Sequence, residues 1–136
     1  MKESVIKRGG EIMKKFLRCN HCGNMVGVLN ESGVPIICCG EAMGALVPNT
    51  TDAANEKHVP AVTVEGDMLT AKVGEVEHPM VDEHYIQWIC VETENGAQRR
   101  ILKPGEKPEA QFCLNGEKAV AVYEYCNLHG LWKAEL

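Results

Sequence analysis

The apolar positions of residues 59–136 fall in short runs rich in β-branched side chains, each closed by a turn signal. Residues 59–64 are of this kind until Glu65-Gly66-Asp67 reverses the chain, and 68–73 follow as far as Gly74. The strongest run is 85–91, where Tyr85, Ile86, Trp88, Ile89 and Val91 crowd together; Glu94-Asn95-Gly96 behind it is a hairpin signal. Runs at 99–102, 109–114 and 118–125 complete the series, and 132–136 offers a last edge strand. No stretch keeps a long helical period, and no internal repeat or low-complexity tract is visible. Strands at this spacing predict an antiparallel β-sandwich.

The chain ahead of this region is organised differently. Residues 1–13 show no clear period and are expected to be a mobile leader, with Met13 as a second candidate start. Between residues 19 and 46 there are four cysteines, five glycines and no aromatic side chain. So short a segment cannot bury a sufficient core, and a metal must hold it. Val47-Pro48-Asn49-Thr50-Thr51-Asp52 has turn and linker chemistry. The expected division is therefore a leader over 1–13, a small module over 14–48 and a larger domain over 49–136.

Composition narrows the function classes. At 136 residues, 45% hydrophobic and 24% charged, the chain has globular composition, and aromatics at 5% leave the core to Val, Ile, Leu, Ala and Met. No apolar run approaches the roughly 18–20 residues that span a bilayer, and the basic N-terminus lacks the apolar segment of a signal peptide. Seven cysteines is an odd number, and they are grouped. Without an export signal these thiols are expected to be reduced, in the cytoplasm, and clustered reduced cysteines read as metal ligands. Residues 1–48 carry six basic and four acidic side chains, and 49–136 carry eight and fifteen. The acidic larger domain argues against nucleic acid, and an anionic substrate would need a locally positive spot.

Two constellations carry the chemistry. Cys19-Asn20-His21-Cys22-Gly23 is a C-x-x-C-G knuckle, and Cys38-Cys39-Gly40 brings a vicinal pair sixteen residues later. Four thiolates from two loops close tetrahedrally on one ion, zinc or iron. The larger domain supplies His58 after Glu56-Lys57, then His78 and His84 framing one loop, then Cys126 and His129 in a C-x-x-H turn before Gly130. Several imidazoles and one thiolate suit Fe(II), Zn(II) or Cu(II).

The Cys19/Cys22/Cys38/Cys39 pattern resembles desulforedoxin-type iron centres. The second set resembles the catalytic centre of superoxide reductases, and together they match the two-iron superoxide reductase (desulfoferrodoxin) family over roughly residues 15–136. The resemblance implies a mainly β chain, a small desulforedoxin-like module followed by an immunoglobulin-like antiparallel β-sandwich. It implies two irons, one held by Cys19, Cys22, Cys38 and Cys39, with zinc as a possible substitute. The other is held by His58, His78, His84 and His129 in a plane with Cys126 axial. It gives Lys57 the role of attracting superoxide and Glu56 that of capping the oxidised site. It implies one-electron reduction of superoxide to hydrogen peroxide, a rubredoxin-like electron donor and a homodimer. Cys90 and Cys113 have no ligand role in the pattern and are expected to pack within strands. The competing readings are a non-catalytic iron electron-transfer protein, a superoxide dismutase and a structural zinc protein.

Overall fold

The computed structural model describes residues 7–8, 11–12, 15–50 and 55–136, with residues 7–8, 11–12, Asn55 and Glu56 as backbone only. Most of the expected leader, 1–13, lies outside the described residues, apart from the paired β1 (Lys7–Arg8) and β2 (Glu11–Ile12). The chain divides into two compact units, Met1–Val47 and Pro48–Leu136.

In the first unit β3 (Phe16–Arg18) lies between β4 (Met25–Gly27) and β7 (Gly44–Ala45), all antiparallel. A separate hairpin joins β5 (Ile37–Cys38) to β6 (Glu41–Ala42). Its two-residue loop is Cys39-Gly40, with φ of 55° and 78°. Two left-handed residues in succession fit the tight hairpin turn whose twist matches the flanking strands. The vicinal cysteines are thereby explained: one ends a strand and the other occupies the turn.

The second unit begins with a one-turn helix, α1 (Asn55–His58), which the sequence pattern did not predict. A single turn buries too few side chains to leave a periodic trace. Then β8 (Pro60–Glu65), β9 (Met68–Val73) and β12 (Glu109–Cys113) form a three-stranded antiparallel sheet with β9 at its centre. The other sheet has four antiparallel strands, in the order β11 (Ala97–Ile101), β10 (Ile86–Thr93), β13 (Ala119–Cys126), β14 (Gly130–Glu135). Residues 132–136 were expected as an edge; β14 takes that place, starting at Gly130. Period-two alternation turns Leu69, Ala71 and Val73 of β9 inward while Met68 and Lys72 face out. These meet Ile89 and Val91 of β10, Phe112 of β12 and Val122 of β13 in one core cluster, to which Cys126 also belongs.

Cys90 is buried in β10, as expected. Cys113 is not: it stands exposed at the end of β12, its thiol 3.7 Å from Asp67 Oδ2. Alternation decides this, since Ala110 and Phe112 take the inward face and leave Gln111 and Cys113 outside.

Candidate metal centres

The first centre is built by two turns of the small unit. Sγ atoms of Cys19, Cys22, Cys38 and Cys39 lie within 4.8 Å of one another. The N–H groups of His21 and Cys22 point at Cys19 Sγ (3.4 and 3.5 Å), and Asn24 N–H at Cys22 Sγ (3.4 Å). Gly23, at φ 85°, makes this folding-back possible. The backbone N–H groups of Cys22 and His21 draw the Cys19 thiol down to about 6, whereas Cys39, crowded by Cys22 and Cys19, is pushed up to about 12. The Cys19 thiolate forms readily while Cys38 and Cys39 resist, so a full tetrathiolate calls for a cation among the sulfurs. His21, inside the knuckle, turns away to Glu41 (Nε2 to Oε1, 2.8 Å) and is not in the cluster.

The second centre forms where β13 ends, joined by α1 and the loop before β10. Nitrogens of His58, His78, His84 and His129 and the sulfur of Cys126 also lie within 4.8 Å of one another. The imidazoles close a four-membered ring. Successive centroids, His58–His78–His84–His129 and back, are 4.8, 4.6, 5.0 and 4.7 Å apart, with planes 74–85° from each other. His58 Nε2 sits 3.0 Å from His129 Nδ1 and 3.2 Å from His78 Nε2. His78 donates through Nδ1 to the Pro79 carbonyl (2.7 Å), which leaves its Nε2 lone pair facing inward. His84 Nε2 is buried and has no hydrogen-bond partner. Such an orphaned nitrogen beside three others is what a metal would satisfy, and the mixed imidazole–thiol set suits iron.

Cys126 reaches the cluster from the sheet itself. A β-bulge places Ile86 opposite Cys126 but Trp88 opposite Tyr125, and Gly130 (φ 81°) then closes the three-residue loop 127–129. The Cys126 thiol is fully buried and 3.9 Å from His129 Nδ1. Burial pushes it up, opposed by the N–H groups of Leu128 and His129. Burial also draws His78 down to about 4, and lowers His84 together with the positive charges of His129 and Lys57. His78 and His84 are thus held toward the neutral form that a metal ligand needs. Lys57 is exposed, and its charge reaches the site at His84; the Glu56 side chain lies outside the described residues.

Sequence reasoning missed the support around these side chains. Trp132, fully buried, stacks on His58 and donates from Nε1 to the His129 carbonyl (3.0 Å). Glu124, two residues before Cys126, is buried with both carboxyl oxygens unpartnered, and desolvation raises it well above the usual carboxylate range. Asn127 bridges to the His84 segment. The only signal for the last was its place inside the C-x-x-H turn.

Fold and site define a mainly β protein with a four-thiol metal centre and a second centre of four imidazoles and one thiol. The desulfoferrodoxin family model matches residues 50–135, and that for the desulfoferrodoxin N-terminal domain matches 11–46. The chain belongs to the desulfoferrodoxin family. It is 47% identical over 121 residues to the desulfoferrodoxin of Nitratidesulfovibrio vulgaris, covering 89% of this chain and 95% of that one. It is 48% identical over 118 residues to that of Syntrophotalea carbinolica, covering 87% and 93%. The crystal structure of the superoxide reductase from Treponema pallidum is similar at a TM-score of 0.74 and 38% identity, over 88% of this chain and 98% of that one.

Proposed function

We propose that this protein is a superoxide reductase, which takes superoxide, one electron and two protons to hydrogen peroxide. The observation that carries the reading is the closed ring of four imidazoles with one buried thiol. These five residues would hold a ferrous iron, which would supply the electron and a site for a small anion. The chain's own residues do the rest. His58, His78, His84 and His129 act as neutral ligands, and Cys126 as the thiolate, shielded in the core from solvent. Lys57 supplies positive charge at an otherwise acidic domain and draws the anion in. Glu56, beside it in the sequence, would cap the oxidised site, the role that the family resemblance implies. Cys19, Cys22, Cys38 and Cys39 hold a second iron, for which zinc can substitute.

The wider assignments follow from the same reading. Residues 14–48 are the desulforedoxin-like module and 49–136 the reductase domain. The four-stranded and three-stranded sheets, sharing one core, form an immunoglobulin-like sandwich. All seven cysteines are free, in keeping with the cytoplasm, and no helix among the described residues is long and apolar enough to cross a membrane. A rubredoxin-like protein supplies the electrons. The exposed Leu29, Val34 and Ile37 of the small unit offer apolar surface to a second copy in a homodimer.

The test is stopped-flow or pulse-radiolysis reaction of the reduced two-iron protein with superoxide, measuring peroxide against dioxygen. Peroxide without dioxygen is expected. Dioxygen in step with peroxide would make it a dismutase; no reaction, together with failure to bind azide or cyanide, would leave an electron-transfer protein.

A further inference from the structure

His84 is held by a complete set of backbone bonds. The five consecutive polar groups from the Glu83 carbonyl to the Tyr85 carbonyl are all hydrogen-bonded. Val81 takes two, exchanging N–H and C=O bonds of 3.0 Å with His84 itself. The other three go to one residue, Asn127. Its N–H donates to the Tyr85 carbonyl (3.2 Å), its Oδ1 accepts from Tyr85 N–H (2.9 Å), and its Nδ2 donates to the Glu83 carbonyl (3.0 Å). The amide orientation is fixed by its partners, because a peptide N–H only donates and a carbonyl only accepts.

The position explains the need. The β10–β13 ladder ends at Ile86 opposite Cys126, where the chain turns off toward His129 and Gly130. Tyr85 would otherwise face no strand. The Asn127 amide stands in for the missing peptide, and it does so between the two parts of the chain that must meet. Tyr85 and Glu83 flank His84; Asn127 lies between Cys126 and His129.

We propose that Asn127 is a positioning residue for the second metal centre, fixing His84 against Cys126 and His129. It touches no ligand atom and acts through the backbone on both sides of His84. Removing its amide leaves Glu83 O and Tyr85 N–H to water and frees the His84 segment to move away from the other four donors, so this ligand is the first to let go.

The inference rests on the five-donor reading of the site. The test uses the full two-iron protein, with metal affinity of each centre measured by competition with a chelator for wild type, Asn127→Ala and Asn127→Asp. Asn127→Ala should weaken iron binding at the second centre by about 10–100-fold, the usual effect of losing an outer partner, with the four-cysteine centre unmoved. Asn127→Asp keeps the acceptor for Tyr85 N–H but loses the donor to Glu83 O, and should fall between. In both, the EPR spectrum of the oxidised second iron should shift. A merely structural role would lower the denaturation midpoint and leave affinity and EPR as in wild type, and that result overturns the proposal. If Asn127→Ala does not fold, Asn127→Asp decides on the same two readouts. A wild type that takes up no metal at the second centre sinks the functional reading itself, whereas normal wild-type uptake with unchanged variants sinks only this inference.

Discussion

The imidazole of His58 lies flat against the indole of Trp132, with ring centroids 4.9 Å apart and planes 22° from parallel. His58 arrives on the single turn of α1, and its ring is oriented by a side chain of β14 that lies against it. Trp132→Ala removes both this surface and the bond to the His129 carbonyl. It should cost about 3–5 kcal/mol of stability, as large buried truncations do, and loosen iron at the second centre. Trp132→Phe keeps a stacking face and should retain more of both. Denaturation curves and iron content of purified protein check this.

Lys57 is an exposed lysine whose charge reaches the site at His84. Lys57→Ala should slow the reaction with superoxide by about 10-fold at low salt and flatten its dependence on ionic strength. Rates measured across a salt series decide it; an unchanged low-salt rate would return Lys57 to an ordinary solvated lysine.

Cys126 sits in the core cluster, so its replacement tests chemistry against packing. Cys126→Ser is nearly isosteric and should keep the fold while abolishing the thiolate-to-iron charge-transfer band of the oxidised protein. Persistence of that band would remove Cys126 from the ligands.

Cys39 occupies a left-handed turn position at φ 55°, which serine tolerates no worse. Cys39→Ser should therefore alter the visible spectrum of the four-cysteine centre alone. Peroxide formation by the reduced protein should persist, and its loss would mean that the two centres do not act independently.

Glu124 gives a pH dependence with a definite sign. Its buried carboxyl keeps its proton well above the usual range, while in the unfolded chain it ionises near about 4.3. As pH rises past that point the unfolded state alone loses the proton, so stability falls, by up to about 1.4 kcal/mol per pH unit, until the folded carboxyl also ionises. Glu124→Gln has no proton to lose. Its denaturation midpoint should drop less than that of wild type as pH rises above the usual carboxylate range; parallel curves would show that the carboxyl is not held neutral.

The runs of β-branched residues and their turn signals carried the strands, because burying one face of a sheet imposes a period of two that needs no knowledge of the partner strand. The C-x-x-C-G and Cys-Cys-Gly spacings carried the first centre for a similar reason: both turns are local, and a tight turn fixes where its thiols point. The helical turn at Asn55–His58 was silent, since four residues make no period. Cys113 was misjudged, because being inside or outside a strand depends on register.

The sequence by itself determined which atoms were available to the second centre: four imidazoles and a thiol, tethered to strand ends and turns. Tertiary structure alone decided their use. It brought Nδ1 of His129 within 3.0 Å of His58 Nε2, buried Cys126, and placed Trp132 and Asn127 behind the ligands. These contacts join residues more than forty positions apart in several cases, and their geometry comes from how two sheets pack, which no local pattern encodes.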